Sequence, residues 1–249
     1  MKEIIDPIIQ VRNLEARYGE TTILKDIDID IYPNQVTVIL GGSGCGKTTL
    51  MRNILRLEEP FQGSVKYWGE EVLGMEEPEF NKILLKTGVL FQNGALLNSI
   101  PVYDNVSIPL EQHTKLDRSI RDRMIRVKLS LVHLDQAVHL LPSELSGGMK
   151  KRAALARAIV MDPDILFCDE PSAGLDPQTT ASLDELLLDL KEQLKMTMVI
   201  VTHELASIHR IADRIIFLEA GSLLFQGTLA ESMNAGIPQI TKFFEVGRF

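Results

Sequence analysis

Gly41-Gly42-Ser43-Gly44-Cys45-Gly46-Lys47-Thr48-Thr49 is the stretch from which the fold of this chain can be read. It fits the pattern G-x-x-x-x-G-K-[ST] at every specified position. The residues before it, 36–40, form an apolar run rich in β-branched side chains, and residues 50–55 after it suit a helix. Strand, glycine-rich turn and helix are the context in which this pattern binds phosphate, and they argue against a chance glycine-rich loop.

The loop predicts a nucleotide-binding site. Its glycines let the backbone turn tightly and aim N–H groups at a β-phosphate, beside the positive end of the following helix. Lys47 can reach the β- and γ-phosphates, and the Thr48 hydroxyl is a suitable ligand for Mg²⁺. The residues predicted to bind the nucleotide here are Gly41, Gly42, Ser43, Gly44, Cys45, Gly46, Lys47, Thr48 and Thr49.

Composition narrows the class of protein. With 249 residues, 45% of them hydrophobic, the chain can form one large α/β domain or a core with an inserted subdomain. A net charge of −8 argues against nucleic acid as a partner and against docking on an anionic membrane by charge alone. Residues 1–7 show no signal peptide, and we expect a cytosolic chain with Cys45 and Cys168 as reduced, buried thiols.

Hydrophobic patterning predicts an α/β fold with two kinds of sheet. Between residues 93 and 163 the strand signal disappears and helical patterns replace it, at 102–110 and 118–132, which indicates an inserted helical subdomain. A helix is expected from Pro177, with Leu183, Leu186, Leu187, Leu190 and Leu194 in the core. Strands are predicted at 8–18, 24–31 and 63–70 for an antiparallel sheet, at 36–40, 87–91, 165–170 and 198–202 as buried strands, and as a pair around Gly221. One or two helices are expected after that pair.

Asp169 and Glu170 end a buried strand, 165–170, and form the first candidate constellation. Ligands gather at the carboxyl ends of parallel strands, so Asp169 is a candidate for Mg²⁺ and Glu170 for orienting or deprotonating an attacking water. A lone Asp-Glu pair is more often a solvated strand end. The phosphate-binding loop in the same chain favours the functional interpretation.

His203 ends another apolar strand and has two interpretations. It can simply end the strand, or it can contact the γ-phosphate that is transferred. A zinc site of the H-E-x-x-H type is excluded because position 207 is serine.

Leu145-Ser146-Gly147-Gly148-Met149 stands at the start of an alanine-rich helix over 150–160. A serine and two glycines at a helix start can bind an anion through exposed N–H groups. Because the chain already has one phosphate-binding loop, a second anion site indicates a nucleotide held between two copies of the chain.

Taken together, these motifs resemble the ATP-binding-cassette (ABC) family over essentially the whole chain. The resemblance implies a P-loop NTPase core of mixed parallel sheet at about 1–92 and 164–249, with an antiparallel β subdomain, and a helical subdomain at about 93–163 in one domain. It also implies that Tyr18 stacks on adenine, Gln92 contacts Mg²⁺ and senses a permease, and Asp176 lies in a loop that contacts the opposite subunit. ATP and Mg²⁺ are the implied cofactors, Leu145 to Met149 act in trans, and Glu170 and His203 are the implied catalytic residues.

Three further stretches, 91–97, 102–106 and 142–149, resemble the ATPases of phospholipid-trafficking systems built around mammalian-cell-entry (MCE) proteins. Among such systems, the chain resembles the ATPases of the maintenance-of-lipid-asymmetry pathway. At the fifth position of the signature most ABC members carry Gln, and this chain has Met149. The resemblance implies a homodimer held at the cytoplasmic face of the inner membrane by permease subunits, with an MCE-domain lipid-binding protein and, in some systems, a small cytosolic partner.

Other functions remain open at the level of sequence. An ABC ATPase for an amino acid or a metal is the main alternative, since the substrate touches the permease and not this chain. A soluble ABC ATPase of DNA repair or translation is disfavoured by the absence of long coiled coils and of a second cassette. A nonhydrolysing scaffold is disfavoured because Lys47, Thr48, Asp169, Glu170 and His203 are all present.

Overall fold

A computed structural model describes residues 6–245 of the chain. Residues 1–5 and 246–249 lie outside the described residues. The expectation that there is no signal peptide concerns residues 1–7, so most of that stretch is not described. The described chain divides into two compact units, the first made of residues 6–83 and 197–245 and the second of residues 84–196.

The strands agree closely with the sequence pattern, and the expected α/β class is confirmed. Both the antiparallel strands and the buried strands are found where alternation and apolar runs predict them. The strands are β1 Ile9–Tyr18, β2 Thr21–Ile31, β3 Val36–Gly41, β4 Gln62–Tyr67, β5 Glu70–Glu71, β6 Thr87–Leu90, β7 Ile165–Asp169, β8 Thr197–Val201, β9 Arg214–Glu219 and β10 Ser222–Thr228.

The helices include two that the sequence analysis did not predict, α2 and α7. The expected helices at 102–110, 118–132 and from Pro177 are confirmed, and the alanine-rich helix begins at Gly147 rather than at residue 150. The helices are α1 Lys47–Ile54, α2 Glu77–Leu84, α3 Val102–His113, α4 Arg118–Leu131, α5 Gly147–Ala158, α6 Pro177–Leu194, α7 Leu205–Ile211, α8 Leu229–Met233 and α9 Pro238–Glu245.

The first unit contains an antiparallel sheet in the order β2-β1-β4-β5. Apolar and polar side chains alternate along its strands because one face of the sheet is exposed to solvent. In β2 the side chains of Leu24, Ile27, Ile29 and Ile31 are buried, whereas the intervening Asp28 is exposed. This alternation fixes the register, since a shift by one residue would expose every isoleucine.

The first unit also contains the strand that carries the phosphate-binding loop. Within this unit the order is β10-β9-β3-β8, with β3 parallel to both β8 and β9, and β10 antiparallel to β9. Every residue of β3 and β8 is buried, which explains their continuous apolar sequences. The carboxyl ends of β3 and β8 lie side by side, because Ile39 is paired with Val201.

The second unit combines the parallel pair β6 and β7 with helices α3 to α6. Helix α5 approaches β6 so closely that a Cβ on Gly88 would lie 2.4 Å from the carbonyl oxygen of Ala158. The leucines of α6 at 183, 186, 187 and 190 are buried as expected, but Leu194 is only half-buried because the helix ends there. Both cysteines are buried free thiols, as predicted.

No helix among residues 6–245 combines the length and the apolar character needed to cross a membrane.

Candidate functional site

The phosphate-binding loop has a backbone that only its glycines allow. Gly41 has φ of 145°, and a Cβ there would lie 2.1 Å from the carbonyl oxygen of Leu218. Gly46 has φ of 101° and caps α1, and a Cβ there would lie 2.5 Å from Cδ2 of Leu24. Both positions combine a left-handed backbone with a close neighbour, so a larger residue would be excluded twice over.

Lys47 lies over the loop. Its Nζ donates hydrogen bonds to the carbonyl oxygens of Gly41 at 3.0 Å and Gly42 at 2.9 Å. Gly42, Ser43 and Gly44 are exposed, so this surface is open to an anion. Thr48 and Thr49 follow in the first turn of α1, where the helix dipole favours negative charge.

Cys45 has a buried side chain within the loop. Its Sγ lies 3.9 Å from Nζ of Lys47. Burial raises the pKa of the Cys45 thiol, and the neighbouring Lys47 opposes that effect. The side chain therefore acts as a small apolar filler under the loop.

His203 lies at the same edge of the first unit as the phosphate-binding loop. It follows β8 by two residues, as Gly41 ends β3, and these two strands are adjacent and parallel. The His203 side chain is exposed, and the next peptide is fixed by a hydrogen bond from the Glu204 N–H to Oγ1 of Thr202, at 3.1 Å. The structure thus brings Lys47, Thr48 and His203 to one sheet edge.

Tyr18, the candidate for stacking on a base, ends β1 with its side chain 51% exposed. Its hydroxyl donates a 2.5 Å hydrogen bond to Glu58, and Glu58 pairs with Arg52 at 2.8 Å. The Tyr18 hydrogen bond, together with Arg52, lowers the pKa of Glu58. Glu58 and Arg52 were not among the predicted site residues, and they hold the ring by its polar end.

Asp169, Glu170 and Gln92 are brought together in the second unit. Asp169 ends β7 and is buried, and Glu170 follows with φ of 46°, a left-handed backbone unusual for a residue with a side chain. Nζ of Lys151 donates to the backbone carbonyl oxygens of both Gln92 and Glu170, the latter at 3.2 Å. The two strand ends are therefore connected through one buried lysine.

The stretch Leu145 to Met149 forms the start of α5. Leu145 is buried, and Ser146 caps the helix by accepting a 3.3 Å hydrogen bond from the Met149 N–H. Beside it lies an open cleft of about 310 Å³. The cleft is lined by Ser146, Gly148, Met149, Arg152, Gln178, Thr179 and Ser182.

Asp176, expected to lie in a loop that contacts the opposite subunit, caps α6 in this structure. Its carboxylate accepts 3.0 Å hydrogen bonds from the N–H groups of Gln178 and Thr179 and a 2.5 Å bond from the Thr179 hydroxyl. The Thr179 hydroxyl is the main cause of the lowered pKa of Asp176. The carboxylate is thus fixed in its charged form, next to the stretch Leu145 to Met149.

Sequence reasoning did not find the basic residues of α5 that hold the segment after β6. Arg157 donates to the carbonyl oxygens of Gly94 at 2.7 Å and Ala95 at 2.8 Å, and Lys151 donates to that of Gln92. Lysine and arginine on an alanine-rich helix are usually solvated. At 3.6 residues per turn, side chains six residues apart point about 120° away from each other, so Lys151 and Arg157 share no helix face that a sequence pattern could reveal.

Comparison with known proteins supports what these motifs indicate. The model of the ABC transporter family matches residues 24–173, which include the phosphate-binding loop, the stretch Leu145 to Met149 and the Asp169-Glu170 pair.

Three curated relatives differ in the substrate their names give. A probable ribonucleotide transport ATP-binding protein, mkl, of Mycobacterium leprae is 39% identical over 94% of this chain and 68% of its own length. The intermembrane phospholipid transport system ATP-binding protein MlaF of Haemophilus influenzae is 34% identical over 96% of this chain and 90% of its length. The methionine import ATP-binding protein MetN of Clostridium tetani is 37% identical over 96% and 74%. The chain thus spans about two thirds of the mycobacterial relative.

Solved structures agree over nearly the whole chain. The cbiO1 subunit of an ABC transporter complex from Clostridium perfringens has a TM-score of 0.83 with 28% identity, covering 96% of this chain and 99% of that one. A dimeric ATP-binding cassette in a post-hydrolysis state, bound to ADP and Pi, has a TM-score of 0.80 with 28% identity, covering 89% and 98%. This chain belongs to the ABC transporter family, and it binds ATP with Mg²⁺ and hydrolyses it in the service of transport.

Proposed function

We propose that this chain is the ATP-hydrolysing subunit of a system that moves phospholipid between membranes together with an MCE-type lipid-binding protein. The observation that carries the proposal is the match to MlaF, which extends over 96% of this chain and 90% of the relative. The stretches around Gln92, Asn105 and Met149 that resemble MCE-system ATPases support the same choice.

The described geometry supports a role for each residue that faces the nucleotide. Lys47 exchanges its two carbonyl partners for the β- and γ-phosphates, and the exposed N–H groups of Gly42, Ser43 and Gly44 cradle the β-phosphate. Tyr18 presents an exposed ring, held by its hydroxyl, on which adenine stacks.

The oxygen donors of the site fit magnesium. The Thr48 hydroxyl, the Asp169 carboxylate and the Gln92 amide would hold Mg²⁺, which prefers oxygen ligands and keeps phosphate and water in its shell. When bound, the ion supplies positive charge that offsets the charge of the phosphates. No second carboxylate is required, because the nucleotide itself provides ligands.

Hydrolysis and assembly complete the proposal. Glu170 orients and deprotonates the attacking water, and His203 donates to the γ-phosphate. Leu145, Ser146, Gly147, Gly148 and Met149 contact the ATP held by a second copy, with Asp176 beside them at the start of α6. The two copies therefore form a homodimer that closes on ATP and reopens after hydrolysis. The dimeric form of the post-hydrolysis cassette supports this arrangement.

The permease contact is proposed at the helical part of the chain, which we take as residues 93–163 inserted in a core of 1–92 and 164–249. An open cleft of about 620 Å³ lies there beside the start of α3. Its lining is Pro101, Tyr103, Asp104, Arg118, Ser119, Asp122 and His139. A permease held in this cleft would keep the chain at the cytoplasmic face of the inner membrane, with space for a small cytosolic partner elsewhere on the chain.

The experiment is a pull-down of the tagged chain from native membranes solubilised in detergent, with mass spectrometry of both proteins and lipids. We expect a multi-spanning permease, an MCE-domain protein and phospholipid to be recovered together. Recovery of a permease with an amino-acid-binding protein would instead favour methionine or a related solute, to which the MetN match points.

A second bait makes the pull-down specific to the cleft. Tyr103→Ala removes the half-buried ring that lines it. This variant should lose the permease and keep its ATP affinity. Equal recovery with both baits would place the permease contact elsewhere, and recovery of no permease with the unaltered chain would favour a soluble ABC ATPase.

A further inference from the structure

Lys151 is a buried lysine at the centre of the second unit whose charge does not face solvent. It lies one turn into α5, and 7% of its surface is exposed. Its Nζ donates to two backbone carbonyl oxygens, those of Gln92 and Glu170. These are the residues to which we assign permease sensing and water activation, so one ammonium group connects both.

The burial of Lys151 is costly, which argues that its position is specified. Burial lowers the pKa of the Lys151 ammonium, and the nearby acidic groups of Cys168, Glu170 and Asp169 oppose this effect. A buried cation without partners would cost several kcal/mol, about the penalty of an unpaired charge in a protein interior. Both carbonyl bonds are therefore needed to keep it there.

The backbone that Lys151 contacts is strained at Glu170. A φ of 46° costs free energy for a residue with a side chain, so Glu170 keeps it only because its surroundings impose it. The Glu170 carbonyl oxygen accepts one hydrogen bond from Lys151 and another, at 3.1 Å, from the N–H of Ala173. These two bonds fix the direction in which the Glu170 peptide, and with it the carboxylate, is presented.

The segment that starts at Gln92 has no regular secondary structure and is fixed by side chains. Arg157 holds Gly94 and Ala95, as described above. The Asn105 side chain accepts from the N–H of Leu97 at 2.8 Å and donates to the Leu97 carbonyl at 3.0 Å. The segment is therefore connected to α5 and α3, and Lys151 is its connection to Glu170.

We propose that Lys151 is a positioning residue for hydrolysis, which sets the Glu170 and Gln92 backbones relative to one another so that a displacement of the Gln92 segment is passed to the base. Lys151 acts through these two peptides and does not touch ATP. The inference rests on the proposed role of Glu170 as the base.

The test compares variants of the full chain in steady-state ATP hydrolysis. Lys151→Met keeps the length of the side chain and removes every donor. We expect kcat to fall about 10-fold to 100-fold, the effect of a misplaced catalytic group, with KM for ATP changed less than about twofold. Lys151→Arg keeps a cation, but its fork cannot place one nitrogen on both carbonyls, so its kcat should lie between those of Lys151→Met and the unaltered chain.

Lys128→Met is the matched control, because Lys128 is also a buried lysine of the second unit, with 5% of its surface exposed and Asp162 as its partner. It should lower the melting temperature much as Lys151→Met does and leave kcat within about twofold of the unaltered chain. Equal losses of kcat in both lysine variants would reduce Lys151 to a structural residue and overturn the proposal.

Glu170→Gln distinguishes the role of Glu170 as the base from the positioning role of Lys151. If Lys151 acts through Glu170, adding Lys151→Met to Glu170→Gln should cause no further loss of kcat. Near-normal turnover of Glu170→Gln alone would refute the assignment of the base. Loss of turnover in Glu170→Gln with normal kcat in Lys151→Met would refute only the positioning role. If Lys151→Met fails to fold, a kcat of Lys151→Arg equal to that of the unaltered chain would overturn the proposal in the same way.

Discussion

At the scale of single residues, Tyr18 is held by a hydrogen bond to a charged side chain. Its hydroxyl bonds to Glu58, whose carboxylate pairs with Arg52. The Glu58 side chain is 28% exposed and that of Arg52 49%, so the ion pair is screened by solvent. Such pairs contribute about 0.2–1 kcal/mol, and the hydrogen bond adds orientation to that small energy.

Glu58→Gln should lower the free energy of unfolding at pH 7 by less than about 1 kcal/mol, because glutamine still accepts from Tyr18 but no longer pairs with Arg52. The pKa of Glu58 in the folded chain lies below its ordinary value of 4.5. The contribution of Glu58 is therefore complete above pH 4.5 and is lost as pH falls through the lower, folded pKa. Urea unfolding at a series of pH values from neutral to acid measures the difference between the two proteins.

The gap between Glu58→Gln and the unaltered chain should close at the acid end of that series. Glu20→Gln, at an exposed position two residues after Tyr18, is the control and should leave the unfolding curve unchanged at neutral pH. If the difference in free energy of unfolding stays constant down to the acid end, the charge of Glu58 is not what stabilises its contacts with Tyr18 and Arg52.

The residues that a sequence pattern can reveal are those whose chemistry requires a fixed spacing. The loop from Gly41 to Thr49 is recognisable because phosphate binding requires those types in that order. Lys151 donates to a backbone carbonyl oxygen, and Glu58 accepts from a tyrosine hydroxyl. Neither contact requires a fixed spacing between the two partners in the sequence. Their roles could not be predicted, because only the folded backbone decides which carbonyl lies within reach of a lysine.

At the scale of elements, the start of α5 is packed against the start of α6. A Cβ on Gly147 would lie 3.3 Å from Cδ2 of Leu175, and one on Gly148 would lie 2.7 Å from Cγ2 of Thr179. The capping groups Ser146 and Asp176 stand at the two helix starts. The small residues at this contact let the two helix starts approach each other.

Gly148→Ala should therefore destabilise the chain by about 1–3 kcal/mol, the usual cost of overpacking. Adding Thr179→Ser should restore most of the loss, because it removes the Cγ2 that the new methyl would meet and keeps the hydroxyl that donates to Asp176. Thermal unfolding of the two single variants and the double variant measures this directly. Additive losses in the double variant would mean that the contact between Gly148 and Thr179 does not limit the packing.

The same contact explains why the start of α5 was misplaced by sequence reasoning. Two adjacent glycines are poor helix formers, so the pattern placed the helix start at residue 150, whereas the Ser146 cap and the packing of α6 extend it to Gly147. Helices α2 and α7 were not predicted because they have eight and seven residues, too few to show a periodic stripe. Strands with continuous burial, such as β3 and β8, were predicted because the apolar run is the signal itself.

At the scale of the whole molecule, two copies of this chain must approach each other against their own charge. Each carries a formal charge of −8, and the long-range repulsion between them is screened as salt is added. ATP must supply the attraction. A ligand that binds the closed dimer better than the separate chains shifts the population only by that difference in affinity.

Glu170→Gln should therefore accumulate as a dimer when ATP is present, because ATP stabilises the closed pair and hydrolysis no longer removes it. We expect light scattering on a sizing column to report twice the 27.9 kDa mass of one chain with ATP and the single mass without it. Lys47→Ala is the control, since it should lose the phosphate contact and stay single at the same ATP concentration. Raising the salt concentration should increase the dimer fraction at fixed ATP, as screening weakens the repulsion. A Glu170→Gln variant that binds ATP and remains single at every salt concentration would refute the sharing of ATP between two copies, and with it the trans role of Ser146, Gly147 and Gly148.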